Sequence, residues 1–130
     1  MADETYPEDL RYHPEHDWAR IDGDEATFGV TWYAQDALGE VVFYEPPEVG
    51  LETTKDQAYA EVESVKAVSD VYAPLSGEIT AVNDAVSDSP ELVNEDPYGE
   101  GWLVRVKLTN PSEVDDLLDV AAYRKLLEDE

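Results

Sequence analysis

Cysteine is absent from this 130-residue chain, methionine occurs once and histidine twice. Without a thiol there is no disulfide frame, no thiolate metal site and no cysteine nucleophile, so redox chemistry would have to come from an attached group. Positive charge is scarce as well: 8 Lys and Arg stand against 32 Asp and Glu, a formal net charge of -24. Such a surface repels a phosphate backbone, which argues against a nucleic-acid partner. No apolar run approaches the roughly 20 residues of a membrane span. The acidic opening Met1-Ala2-Asp3-Glu4 lacks the basic and apolar segments of a signal and the Arg-rich character of a transit peptide. A cytoplasmic protein with no membrane partner is the expectation. No stretch reads G-x-G-x-x-G, so a phosphate-cradling glycine loop is missing too.

What remains is enough to fold. Hydrophobic residues make up 42% of the chain and run along its whole length, with three Trp and eight Tyr, which sets it apart from a disordered acidic tail. The length suits one domain over residues 1–130. The acids are spread rather than gathered, as on a solvated face. Self-repulsion of that size favours a monomer and a salt-rich, halophilic setting, because salt screens charges beyond about 8 to 10 Å.

Short strands divided by turns dominate the pattern. Trp18 to Ile21 and Ala26 to Val30 read as a hairpin across Asp22-Gly23-Asp24. Thr31 is a cap for a short helix through Leu38, which Gly39 stops, and Glu40 to Tyr44 resumes as a strand. Ala58 to Glu63 alternates as a strand with one wet face; after Val65-Lys66-Ala67 the chain returns over Val68 to Ala73, giving a hairpin over about 58–73. Pro74 to Gly77 makes a turn and Glu78 to Asn83 a further strand. Ser89 and Pro90 suggest a cap and first position of a brief helix ending near Asn94, and Trp102 to Leu108 alternates cleanly. Ser112 with Asp115 resembles a capping box, and Leu117, Leu118, Tyr123, Leu126 and Leu127 suggest a C-terminal helical segment over about 112–128. The sum is a mainly β barrel or sandwich with short helices.

Residues able to do chemistry are few. His13 and His16 are three apart, but Pro14 between them disfavours a helix that would aim both at a metal, so structural or solvent-facing histidines are the expectation. With 32 acids, close carboxylate pairs carry no information. Lysine is informative because there are four. Lys107 falls on the exposed parity of a strand, Lys125 on the outer part of the last helix and Lys55 in a polar turn. Lys66 sits in the middle of a tight connection between two strands, where a side chain is open to a modifying enzyme. Geometry alone leaves two readings of it open: a solvated charge that blunts aggregation, or the root of a swinging arm.

The segment Glu63-Ser64-Val65-Lys66-Ala67-Val68-Ser69-Asp70-Val71-Tyr72-Ala73-Pro74-Leu75-Ser76-Gly77-Glu78 resembles the lipoylation region of glycine cleavage H proteins. The resemblance extends through His16-Asp17-Trp18, similar to that family's H-E-W, through Leu38 to Phe43, and through Leu92 to Leu103. It implies a barrel-sandwich hybrid fold of the lipoyl/biotinyl-carrier kind and a non-catalytic carrier, with no catalytic or metal-binding residue of its own. Lipoate would be joined by an amide to Lys66. The turn residues Glu63, Ser64, Val65, Ala67 and Asp70 would be recognised by a lipoate ligase or lipoyltransferase. Asp17, one methylene shorter than the family's glutamate, stands where an acid contacts the aminomethylated arm. The implied partners are a pyridoxal phosphate glycine decarboxylase, a tetrahydrofolate-dependent aminomethyltransferase and dihydrolipoamide dehydrogenase. An H-like relay delivering lipoate to other enzymes needs the same lysine and is the alternative. A biotin carrier is disfavoured because its lysine lies between methionines, and an acyltransferase lipoyl domain because it shows D-K-A. Trp32 and Pro46 depart from the family pattern away from the lysine.

The charge yields a first expected outcome. The melting temperature rises by several degrees between dilute buffer and molar KCl; a flat or falling one in a salt series contradicts the repulsion argument.

Overall fold

In the computed structural model, which describes residues 4–129, the alternation of the last apolar run is realised directly: Val104, Val106 and Leu108 point inward while Arg105 and Lys107 face solvent. The described residues form nine strands: β1 (Arg11–His13), β2 (Asp17–Asp22), β3 (Glu25–Val30), β4 (Val41–Glu45), β5 (Glu52–Thr53), β6 (Ala58–Ser64), β7 (Val68–Tyr72), β8 (Gly77–Val82) and β9 (Val104–Leu108). They pair antiparallel in two sheets, one ordered β1-β2-β3-β9-β8-β5 and one ordered β4-β6-β7. Four short helices complete the chain: α1 (Trp32–Leu38), α2 (Asp84–Asp88), α3 (Leu92–Glu95) and α4 (Val120–Glu128). The mainly β expectation is therefore met. Met1, Ala2 and Asp3 of the acidic opening lie outside the described residues. Among the described residues no helix is long and apolar enough to cross a membrane.

Three buried clusters hold the sheets. Phe28, Leu75, Ile79, Val104 and Val106 fill the inside of the larger sheet. Val41, Tyr44, Val62, Val71 and Leu103 join it to the smaller one, with Val86 of α2 and Val93 of α3 packed among them. Tyr6, Tyr12, Trp18, Tyr98 and Tyr123 form an aromatic layer under α4, in which Tyr12 and Tyr123 stack with centroids 4.6 Å apart. Such a pair contributes about 0.5 to 1.5 kcal/mol beyond the area it buries.

Two of the three register shifts have a local consequence. Between Val41 and Phe43, β4 carries one residue more than β6, so Val42 and Phe43 are both exposed although they are consecutive. Between Ala58 and Ala60, β6 carries one more than β7, which turns the Tyr59 ring inward.

Helix ends depart from the sequence reading in two places. Asn83 caps α2, accepting the Ala85 N–H at 3.1 Å, and Ser89 closes that helix instead of starting one. Asn83 also donates to the carbonyls of Glu100 and Trp102, contacts between distant segments that no local pattern displays. The expected segment over 112–128 is split. Pro111–Asp116 is a 3₁₀ turn in which Ser112 Oγ bonds Asn110 Oδ1, so Ser112 and Asp115 make no capping box. Leu118 is drawn out into a two-way bridge with Tyr12, both bonds 2.8 Å, and α4 starts only afterwards, with Asp119 as its cap. An antiparallel bridge demands extended backbone, which interrupts the helical period.

Gly29 lies opposite Trp18 on the neighbouring strand, where a Cβ would come within 2.5 Å of the indole. Trp18 is fully buried and cannot retreat. Gly29→Ala is expected to cost about 1 to 3 kcal/mol, seen as a lower denaturant midpoint with unchanged slope; an unshifted midpoint contradicts this packing.

Candidate functional site

The β6–β7 hairpin ends in the apex Val65-Lys66-Ala67. Ser64 organises it: its N–H donates to the Ala67 carbonyl at 2.8 Å, and its Oγ accepts the N–H groups of Lys66 at 3.3 Å and Ala67 at 3.2 Å. A serine hydroxyl bonding forward to the backbone is a standard turn device. Val65, Lys66 and Ala67 are exposed. Glu63, opposite Val68 in the hairpin, and Asp70, opposite Glu61, are exposed on its outer face. The structure thus brings Lys66, Glu63, Ser64, Val65, Ala67 and Asp70 together on one hairpin.

The apex is not a free finger. Val65 donates its N–H to the Glu40 carbonyl at 3.0 Å, and the Lys66 stem runs beside Gly39, where a Cβ would lie 3.5 Å from Lys66 Cε. Gly39 ends α1 with φ 80°, a conformation favouring glycine, so the helix stop and the residue beside the lysine stem coincide.

Between β7 and α1 runs a cleft of about 310 Å³. Its apolar walls include Val30, Ala34, Leu38 and Val71, and it reaches Ala67 and Val68 beside the lysine. Glu15, His16 and Asp70 add polar groups, with Glu15 and Asp70 exposed. One end of α1 is fixed by a chain of hydroxyls. Thr31 Oγ1 caps the helix at the Ala34 N–H and lies 2.8 Å from the Tyr123 hydroxyl, which also lies 2.8 Å from His16 Nδ1. A tyrosine of the C-terminal helix therefore sets a wall of the cleft.

Asp17 also lines the cleft, but its carboxyl is withdrawn behind it. The residue is 1% exposed, the Tyr72 N–H donates to it, and Oδ2 has no partner among the described residues. Burial pushes the Asp17 carboxyl well above the usual carboxylate range, and the Glu15 charge adds to the effect. The hydroxyl of Tyr59 is likewise buried without a partner among the described residues, its own proton held more tightly by burial and by Asp17.

The two histidines face different tasks. His13 Nδ1 accepts the Glu15 N–H at 3.1 Å, so the proton belongs on Nε2, which meets Asp56 Oδ1 at 2.6 Å and holds that carboxyl below its ordinary range. His16 turns to Tyr123 and lies against the Tyr33 ring. Glu40, Asn94 and Tyr123 went unnoticed as contributors in the sequence, because their part is to hold other residues. Gly39 and Thr31, the stop and the cap of α1, carry a local signal.

The geometry agrees with what known proteins show. The Glycine cleavage H-protein family profile matches residues 10–130. A glycine cleavage system H protein of Symbiobacterium thermophilum is 54% identical over 117 residues, covering 90% of this chain and 91% of its own. Another from Halorhodospira halophila is 54% identical over 125 residues, covering 95% and 96%. The crystal structure of a glycine cleavage system H protein from Mycobacterium marinum superposes with a TM-score of 0.87 at 40% identity, covering 95% of this chain and 99% of that one.

Burial of Asp17 has a pH signature. The folded chain keeps a proton there that the unfolded chain loses above about pH 4, so stability from the neutral acid is present below that pH and is lost as pH rises through the folded value. Asp17→Asn stays neutral. Its stability relative to the parent chain is expected to climb with pH above about 4, read from denaturant midpoints; parallel pH profiles refute the burial argument.

Proposed function

Because the chain belongs to the glycine cleavage H-protein family, the non-catalytic lipoyl carriers of the glycine cleavage system, we propose that Lys66 is its lipoyl anchor, acylated through an amide at Nζ. The observation that carries this is the exposed apex of a serine-capped hairpin with Lys66 at its centre, at one end of an apolar cleft. When bound, lipoate supplies a dithiolane that accepts the aminomethyl remnant of glycine and two electrons. Acylation also turns the ammonium of Lys66 into a neutral amide, which suits a stem lying along Gly39 and an apolar wall.

The other assignments follow from placement. Glu63 and Asp70 offer carboxylates on the outer face of the hairpin, and Ser64, Val65 and Ala67 define its turn; these are the features a lipoate ligase or lipoyltransferase meets at Lys66. The cleft residues fit an apolar arm: Val30, Ala34, Leu38 and Val71 exclude water, while the exposed carboxylate of Glu15 attracts a cationic amine. Asp17 lines the same cleft but keeps its carboxyl buried and protonated behind the wall, so it meets the amine only as a neutral neighbour and not as an open ligand. The absence of cysteine keeps disulfide exchange on the arm, and tethering raises its local concentration once a partner docks. The partners in this reading are glycine decarboxylase, the aminomethyltransferase and dihydrolipoamide dehydrogenase, served by all 130 residues acting as one carrier domain.

Intact mass of the protein from cells that make lipoate tests the reading: one lipoyl increment is expected, mapping to Lys66. Lys66→Arg is expected to fold with stability within about 0.5 kcal/mol of the parent, as for an exposed side chain. It is expected to carry no increment and to support no glycine-dependent carbon dioxide exchange with the decarboxylase, because guanidinium stays protonated. Retained exchange overturns the assignment. Lipoylated protein without exchange points to the relay instead.

A further inference from the structure

Asn94 sits in the four-residue helix α3, yet its side chain is 4% exposed and every part of its amide is directed at one corner of the fold. Oδ1 accepts the Val41 N–H at 2.8 Å; Nδ2 donates to the Gly39 carbonyl at 2.8 Å and to Gln35 Oε1 at 3.0 Å. The backbone partners dictate which end of the amide is which, since an N–H requires oxygen and a carbonyl requires nitrogen. Gln35 is itself fully buried, and its Nε2 donates to the Trp32 carbonyl at 3.0 Å.

The two backbone groups that Asn94 holds lie on either side of Glu40. With Gly39 and Val41 gripped from the interior, the chain at Glu40 has little freedom, and the Glu40 carbonyl is the one that accepts the Val65 N–H at 3.0 Å. The Lys66 stem lies beside Gly39, at ordinary contact distance from where a Cβ would stand. A continuous series of contacts therefore runs from α3 through the corner Gly39-Glu40-Val41 to the hairpin apex.

We infer that Asn94 is a positioning residue for the acylation of Lys66, clamping the Gly39-Glu40-Val41 corner so that it seats the hairpin apex and presents Nζ in one place to the modifying enzyme. The inference rests on the reading of Lys66 as lipoyl anchor. In acylation by an activated lipoyl adenylate, neutral Nζ attacks the acyl carbon and the amide C–N bond forms. The acyl–phosphate bond breaks, AMP departs with its electron pair and the surplus proton of Nζ passes to solvent. That attack needs a near-attack geometry, which a rocking apex populates less often. Reduction at the far end of the arm has no such requirement, because a long flexible tether separates the sulfurs from the seat.

Amide exchange in the unmodified, full-length chain gives the first readout. The Val65 N–H, bonded to the Glu40 carbonyl at 3.0 Å, is expected to exchange at least about tenfold more slowly than the Lys66 N–H, which has only a longer, 3.3 Å bond to the Ser64 hydroxyl in an exposed turn. Two variants give the second. Asn94→Asp keeps the shape but points oxygens at the Gly39 carbonyl and Gln35 Oε1, whereas Ile79→Ala, in the separate cluster inside the larger sheet, removes core packing away from the corner. Both are expected to lower the melting temperature. Only Asn94→Asp is expected to expose the Val65 amide and to lower kcat/KM for Lys66 acylation by a lipoate ligase with lipoate and ATP, by about tenfold. Reduction of whatever fraction is lipoylated, by dihydrolipoamide dehydrogenase, is expected to be unchanged. Equal effects of the two variants, or a Val65 amide as labile as that of Lys66, overturn the inference; if Asn94→Asp does not fold, the exchange measurement on the parent chain decides. A parent chain that the ligase leaves bare at Lys66 overturns instead the reading beneath it.

Discussion

At the working end of the molecule, the hydrogen bond from the Val65 N–H to the Glu40 carbonyl constrains everything else. A hairpin apex closed only by its own turn would hinge about the last strand pair, Glu63 and Val68, and a side chain there would sweep wherever the hinge allowed. Fastening the apex to the corner after α1 places the helix and β7 side by side, and the cleft is the space left between them. The lysine root, the cleft and the end of α1 are therefore parts of one arrangement. Mobility is left to the Lys66 side chain, and its root stays still.

The cleft walls are held from behind by groups whose purpose is invisible from the surface. Tyr123 in the C-terminal helix meets both Thr31 and His16, so one hydroxyl ties the start of α1 to the turn before β2. His16 adopts φ 73°, an uncommon conformation for a side chain with a Cβ, in a turn closed by its N–H to the His13 carbonyl; its own carbonyl accepts the Thr31 N–H. Asp17, next in sequence, receives the N–H of Tyr72 at the end of the edge strand β7, beside the Tyr59 bulge. An acid buried with one donor is costly in an already acidic protein. A cost of that kind is commonly found at functional sites.

On the outside, the excess of acid is arranged with little regard for pairwise comfort. Asp22 stands opposite Glu25, Glu52 opposite Glu78, and Glu61 opposite both Glu45 and Asp70. Like charges directly opposed weaken a sheet in dilute solution and are tolerated better where ions screen them. Near Lys66 the surface changes character: Phe43 and Val68 flank Glu63 across the smaller sheet and Val65 stands beside the lysine, all exposed. The base of the Lys66 side chain is therefore an exposed apolar area with a carboxylate set within it.

Much of this was legible in the chain itself because the signals are local. Alternation located β2, β3, β6, β7 and β9; Thr31 and Gly39 bounded α1; four lysines, three with ordinary surroundings, left Lys66 as the candidate anchor, and the run from Glu63 to Glu78 tied it to a family. Tertiary contacts decided the remainder. Leu118 is extended because Tyr12 lies across from it, α2 begins at Asn83, whose amide also reaches the carbonyls of Glu100 and Trp102, and the Asp17 carboxyl is withdrawn behind the cleft wall. Asn94 reaches a corner more than fifty residues earlier in the chain. Periodicity and caps are properties of neighbours along the chain, so composition and order suffice to show them. Which buried amide meets which distant carbonyl depends on how the layers close over one another, and that is settled only when the whole core packs.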